Sequence, residues 1–284
     1  MGPVAQILGD RLHLQHGPID LIIGADGARA QAFAAARGRF ETVLEELVAE
    51  LDLLRQPIGP ETVQPHGETA ARMMAAGRQF APTAFVTPMA GVAGAVAETV
   101  LQAMTSTAEL TRAYVNNGGD IALHLTQGTE FTMAMAGHDA RSLGQIRITH
   151  ADPIRGIATS GQHGRSFSCG IADSVTVLAA TAAKADVAAT LIANAVDLAD
   201  HPAIRRQPAC EVDENTDLGR RLVVTGCGRL GTDAITAALA NGQARAEGFI
   251  ARGQINGACL FLQGQSRGVG HSPVTILEGT PEYA

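Results

Sequence analysis

Tryptophan is absent and tyrosine occurs only twice, so aromatic residues make up 4% of the 284-residue chain. Proteins that hold single-stranded nucleic acid stack bases on aromatic rings, and that platform is missing. Positive charge is also scarce. Lysine and arginine number 21 against 28 acidic residues, a net charge of −7, with no basic cluster beyond the pairs Arg205–Arg206 and Arg220–Arg221. A general electrostatic hold on DNA or RNA is excluded on that ground. Long apolar runs are lacking too. The two most apolar stretches, Pro88–Met104 and Ala179–Ala199, are broken by Glu98 and by Lys184, Asp186 and Asp197, so neither reads as a membrane span. The first residues show no basic segment followed by an apolar one, and no secretion signal is expected. Four scattered cysteines, Cys169, Cys210, Cys227 and Cys259, never fall into a C-x-x-C spacing. Reduced thiols in a cytoplasmic protein are the expectation.

What remains is a chain that is 46% hydrophobic and 17% charged, with 32 glycines. Such a composition folds, and its core must come from Ala, Val, Ile and Leu. The length suits one large domain or two fused halves. Residues 1–284 are read as a single domain with room for two intertwined α+β halves. Leu12–Leu14 and Ile19–Ile23 predict a hairpin turning near His16-Gly17-Pro18. Phe40, Val43, Leu44, Leu47, Val48, Leu51 and Leu54 recur at steps of three and four and predict a long amphipathic helix. Shorter helices are expected over Glu68–Gln79, Met89–Met104, Lys184–Val196 and Asp233–Ala251. Thr87 reads as the cap of the second, with Pro88 in its first turn. Strands are expected at Ala113–Val115, Ile121–Leu125, Glu130–Met135, Gln145–Thr149, Asp173–Ala179, Leu222–Thr225 and Ala258–Leu262. His201–Asp217 reads as a linker or excursion.

Four segments carry candidate chemistry. Asn116-Asn117-Gly118-Gly119-Asp120 joins two strands. Its paired glycines suit either a tight hairpin or a nest of N–H groups for an anion. Thr159-Ser160-Gly161 opens a polar stretch that includes His163 and Arg165, suitable for a diphosphate or a carboxylate. Asp186 and Thr190 stand four apart on a helix and so share a face. A carboxylate beside a hydroxyl suits a hard cation such as Mg²⁺. Gly226-Cys227-Gly228-Arg229-Leu230-Gly231 fits G-x-G-x-x-G after a strand, but no acid for a ribose follows and only 53 residues remain. Cys169 beside Arg165 reads as a buried thiol or a reactive one.

Together these segments resemble the ApbE-like superfamily, best known for FAD:protein FMN transferases. That family shows, in order, an Asn-x-Gly-Gly-Asp turn, an Ala-Thr-Ser-Gly loop, a Ser-x-Thr-Val strand and an Ala-Asp-x-x-x-Thr helix. Here they stand at Asn116–Asp120, Ala158–Gly161, Ser174–Val177 and Ala185–Thr190. The glycine-rich stretch Met89–Glu98 is similar to the family's upstream helix. The chain as a whole is similar to an uncharacterised branch of the superfamily.

The resemblance implies an α+β fold, ApbE-like and T-fold-related, with mixed or antiparallel sheets and flanking helices. It implies FAD or FMN as cofactor with Mg²⁺, and FMN transfer from FAD as the activity. The cofactor would lie against Ala90, Gly94, Asn117, Gly118, Gly119, Asp120, Thr159, Ser160 and Gly161. The metal would sit on Asp186, Thr190 and the carbonyl of Ala90. His163 and Asp173 are the candidate bases. The substrate would be a small molecule or a protein, with no nucleic acid or membrane partner and with a homo-oligomer allowed. The chain also departs from the transferases. Ala93-Gly94 replaces their Lys-Gly, Glu98 replaces an Asp, and their His-x-x-Asp-Pro element is absent. The alternative is therefore an accessory or binding protein of sulfur assimilation, linked to homocysteine formation, without flavin transfer. A third reading is a sulfur carrier using Cys169.

Overall fold

Leucine and isoleucine at alternate positions build the first hairpin. β2 (Arg11–His16) buries Leu12, Leu14 and His16, and β3 (Ile19–Gly27) buries Ile19, Leu21 and Ile23. The two pair antiparallel around the Gly17-Pro18 turn, as period-two patterning dictates. In the computed structural model, which describes residues 2–136, 142–270 and 274–276, this hairpin is one end of a nine-stranded sheet. β1 (Val4–Leu8) lies outside it as an edge strand exposed along its whole length. Beyond β3 come β4 (Leu110–Asn117), β5 (Asp120–Leu125), β8 (Gly156–Ser160), β9 (Ser174–Ala179), β12 (Gly257–Leu262) and β13 (Gln265–Gly270). Every neighbouring pair in the sheet is antiparallel. The α+β class with an antiparallel sheet and flanking helices is therefore what the chain adopts.

The two faces of the sheet bury different partners. Ala122, Ala158, Val175, Val177, Ala258 and Leu260 face the helices. Ile121, Leu123, Ile157, Leu178, Cys259 and Phe261 face a small second sheet. That sheet has the order β14-β7-β6, from β6 (Glu130–Ala136), β7 (Ser142–Thr149) and β14 (Val274–Ile276), and it contributes Phe131, Met135, Ile146 and Ile148.

On the helical face, α1 (Arg29–Ala49) buries Phe33, Ala36, Phe40, Val43 and Leu47, and α2 (Leu51–Leu54) buries Leu54. Val48, beside this stripe, is exposed. Each fully buried large apolar side chain contributes about 1.5–3 kcal/mol. α3 (Glu68–Arg78) follows. α5 (Ala182–Ala195) is apolar around most of its circumference and is walled in by β8, β9, α4 (Val92–Thr107) and α7 (Thr232–Ala251), the pattern of a buried helix. Its N-cap is Thr181, whose hydroxyl accepts the Lys184 N–H at 3.3 Å.

One local expectation changes. Pro88–Gly91 forms a 3-10 turn before α4, and the Thr87 hydroxyl donates to Asp217 instead of capping the helix. The G-x-G-x-x-G stretch leaves β11 (Leu222–Cys227), which pairs antiparallel with β10 (Ile204–Pro208) in a separate two-stranded ribbon. A dinucleotide fingerprint needs a parallel β-α-β unit, and this ribbon is not one. α6 (Ala209–Val212) lies between its strands. Arg206 clamps the ribbon to the body, donating to the Cys169 carbonyl at 2.8 Å and to Asp197 at 2.6 Å. Among the described residues, no helix is long and apolar enough to cross a membrane.

Candidate functional site

The site begins where α4 and α5 touch backbone to backbone. A Cβ on Gly94 would lie 2.3 Å from the Ala182 carbonyl oxygen. The absence of a side chain at residue 94 lets the first turn of α5 seat on α4. Glu98 secures the contact by accepting the Ala183 N–H at 2.8 Å. Seating α5 there carries Asp186 to the start of α4. Its carboxylate accepts the Gly94 N–H at 3.0 Å, a favourable place for negative charge.

The second acid arrives on the sheet. Gly118 and Gly119 take positive φ, +66° and +113°, to turn β4 into β5, and Asn116 accepts the Gly119 N–H at 2.8 Å. Asp120, the first residue of β5, is buried and accepts the Thr159 N–H from β8 at 3.2 Å. The Arg165 guanidinium lies over the turn, so close that a Cβ on Gly118 would meet its Nη2 at 2.5 Å.

Burial pushes the Asp120 carboxyl up to about 7, against the pull of the Thr159 N–H and the Arg165 charge. Burial likewise raises Asp186 well above the usual carboxylate range. The Asp120 charge adds to that rise, while the Gly94 and Ala93 N–H groups oppose it. Two acids disfavouring each other's ionisation mark a place short of positive charge.

Both acids line one cavity of about 610 Å³, and Ala90, Ala93, Gly118, Thr159, Ser160, Gly161 and Thr190 line it with them. The structure thus brings together parts of three of the four segments singled out in the sequence, with Ala90 and Ala93 of the stretch Met89–Glu98, while Gly226–Gly231 takes no part in the wall. Three of the predicted binding residues stand behind the wall. Gly94 faces α5, Gly119 completes the turn, and the buried Asn117 side chain donates to the Ala93 carbonyl at 3.2 Å. His163 and Asp173 do not line the cavity. They face each other at 3.3 Å, and Asp173 also accepts the Gln263 N–H at 2.5 Å and the Gln162 side chain at 3.2 Å. Asp173 ties three segments together there.

The rest of the wall comes mostly from residues that no sequence pattern tied to a binding site. Phe85, Thr87, Asp217 and Arg221 belong to it, as do Arg55 and Arg245. Cys169 lines it too, and burial raises its thiol above the ordinary value although Arg221 and Arg206 pull the other way. The protonated thiol is therefore its resting form, which is not the form of an activated nucleophile. No group of three or more His, Cys, Asp or Glu side chains placed to hold a metal occurs among the described residues. A cation here would rest on two carboxylates together with hydroxyl, carbonyl and ligand oxygens.

A UPF0280 protein of Methanopyrus kandleri is 32% identical over 195 residues, covering 68% of this chain and 76% of that protein. A UPF0280 protein of Methanoregula boonei is 32% identical over 191 residues, covering 65% and 77%. Among solved structures, the flavinyl transferase ApbE of Pseudomonas stutzeri superposes with a TM-score of 0.44 at 14% identity, over 95% of this chain and 93% of that one. The flavin transferase ApbE of Vibrio cholerae gives 0.46 at 13%, over 94% and 98%. The profile of the family described as AbpE bacteria matches residues 5–268, nearly the whole sequence. The chain belongs to the AbpE bacteria family.

Proposed function

We propose that the cavity binds a flavin-type dinucleotide through its diphosphate, with a divalent cation on the Asp120–Asp186 pair, and that the activity is FMN transfer from FAD. The observation that carries this reading is the pair of buried carboxylates, each raised above its ordinary value and set in the cavity wall beside Thr190. The donors are all hard oxygens, which fits magnesium. Asp186, Thr190, Asp120 and the Ala90 carbonyl would hold it. Bound there, the ion would offset diphosphate charge and stabilise the charge that develops at phosphorus. The chain's own part is positioning. Thr159, Ser160 and Gly161 offer hydroxyls and backbone N–H groups along one wall, and Arg165 brings a positive charge over Gly118.

Titrating the protein with FAD while following flavin fluorescence tests this. Binding should need Mg²⁺ and should be lost in Asp186→Ala. Tight binding in EDTA, or binding unchanged in Asp186→Ala, would sink the proposal.

One observation favours a second reading, an accessory or binding protein without transfer, as in the sulfur-assimilation role. His163 and Asp173, the candidate bases, do not line the cavity. The two readings separate on product. Transfer yields AMP and protein-bound flavin from FAD and Mg²⁺, whereas a binding protein returns intact FAD by chromatography. A cytoplasmic location belongs to either reading and agrees with the free thiols of Cys169, Cys210 and Cys227. Thiol counting by mass spectrometry after cell fractionation checks it.

A further inference from the structure

Three arginines from distant parts of the chain gather on the short stretch Thr83–Val86. Arg221, which leads into β11, lies flat over the Phe85 ring, its guanidinium carbon 3.5 Å from the ring centroid. Arg245, in α7, donates to the Thr83 carbonyl at 3.4 Å. Arg55 closes α2 three residues before Ile58, whose N–H donates to the Val86 carbonyl at 2.9 Å. All three line the cavity. None makes an ion pair with a carboxylate among the described residues.

Like charges brought to one wall repel unless something negative joins them. The acids on this part of the wall are Asp213 and Asp217, and Asp217 accepts the Thr87 hydroxyl. Stacking on Phe85 uses the flat face of Arg221. Its edge, which carries the N–H donors, stays available for a planar or tetrahedral anion. The arginine over the acid end is a different one, Arg165, which lies against Gly118.

We propose that Arg55, Arg221 and Arg245 form an anion-binding subsite that receives a phosphate or carboxylate group of the ligand. It shares the cavity with the carboxylate pair and stands apart from it. The extension to one ligand spanning both ends rests on the function proposed above. Such a ligand carries a second anionic group besides the diphosphate held at the acid end.

Inorganic pyrophosphate in EDTA, followed by titration calorimetry on the full chain, isolates the subsite. Without a divalent cation nothing bridges pyrophosphate to the carboxylate pair, so binding reports the arginines. Binding should weaken about tenfold in Arg221→Gln and in Arg55→Gln and stay unchanged in Arg147→Gln, an exposed arginine outside the cavity, with each variant melting cooperatively as the parent does. Absence of binding in EDTA overturns the subsite. So does binding that both arginine variants leave intact, or binding that falls only in Arg165→Gln. The FAD titration separates the two ideas. If FAD with Mg²⁺ fails to bind while pyrophosphate in EDTA follows the arginines, the flavin reading falls and the subsite stands. If FAD binds with Mg²⁺ while pyrophosphate in EDTA does not, the subsite falls and the flavin reading stands.

Discussion

The acid end of the cavity and its arginine end are built on different foundations. Asp120 and Asp186 are buried, each is held by a backbone N–H, and each stands on an element locked into the main sheet or the helices above it. Arg221 is exposed and rests on a single aromatic ring, in a segment joined to the body by the Thr87–Asp217 hydrogen bond and by the Arg206 clamp. Rigidity and burial make a carboxylate expensive to ionise, which is what gives it an appetite for a cation. Exposure to water weakens a guanidinium's hold on any one anion, and its long side chain can reach ligands of different length. A site with one stiff end and one forgiving end fixes where a ligand is anchored and tolerates variety at the other extremity.

The largest expected effect comes from breaking the stiff end. Asp186→Ala should lower Mg²⁺-dependent FAD affinity by about a hundredfold or more, read from flavin fluorescence, because charge-assisted ligation contributes several kcal/mol. A charge change without a shape change comes next. Asp120 holds its proton up to about 7 in the folded chain, well above the ordinary 3.8. The folded state therefore binds more protons than the unfolded state between these values. Stability of the metal-free protein should fall as pH rises from about 4 through about 7, with Asp186, raised in the same direction, adding to the fall. Asp120→Asn should remove the Asp120 share of that fall, leaving the variant more stable than the parent at pH 8 in EDTA. Urea melts across pH decide it, and a parent whose stability rises over this window refutes the assignment.

Packing at the acid end gives a smaller effect. Gly94→Ala places a methyl against the Ala182 carbonyl and should cost about 2 kcal/mol in thermal or urea unfolding. At the other end, Thr87→Val removes one hydrogen bond to Asp217 and should cost about 1 kcal/mol. Arg221→Gln should change stability by less than about 0.5 kcal/mol. A cost for Arg221→Gln as large as that of Gly94→Ala would erase the contrast between the two ends.

The sequence exposes these ends unequally. The acid end is written in short contiguous peptides, so Asn116–Asp120, Thr159–Gly161 and Asp186–Thr190 stand out on reading the chain, and the cavity brings members of each together. The arginine end draws on residues 55, 83–87, 213–221 and 245, and only tertiary packing makes them neighbours. No spacing rule reaches across such gaps. Within the legible peptides, side-chain direction is the harder part. Ala113, Val115 and Asn117 alternate along one buried face of β4, so period-two counting turns Asn117 inward, toward Ala93 and away from the cavity. β8 reads as a loop because Gly156, Thr159, Ser160 and Gly161 look like turn chemistry, yet it is an interior strand between β5 and β9. β10 pairs with β11 although Arg205, Arg206 and Pro208 give it no apolar alternation. Helices are more legible. α3, α5 and α7 lie within a few residues of the predicted spans, because each buries a stripe of apolar side chains, whereas the helix expected over Phe40–Leu54 starts earlier, at Arg29, and is divided at Glu50 into α1 and α2.

The order of the large sheet has one more consequence. Read from edge to edge, its strands climb in sequence number without a single reversal, β1-β2-β3-β4-β5-β8-β9-β12-β13. Each newly made strand thus finds its partner's open edge already in place, and no slot has to be kept vacant for a segment still to be synthesised. The sheet can be laid down like planking, from the N-terminal side outward. Asp120 belongs to the fifth plank, which is synthesised before the helix bearing Asp186.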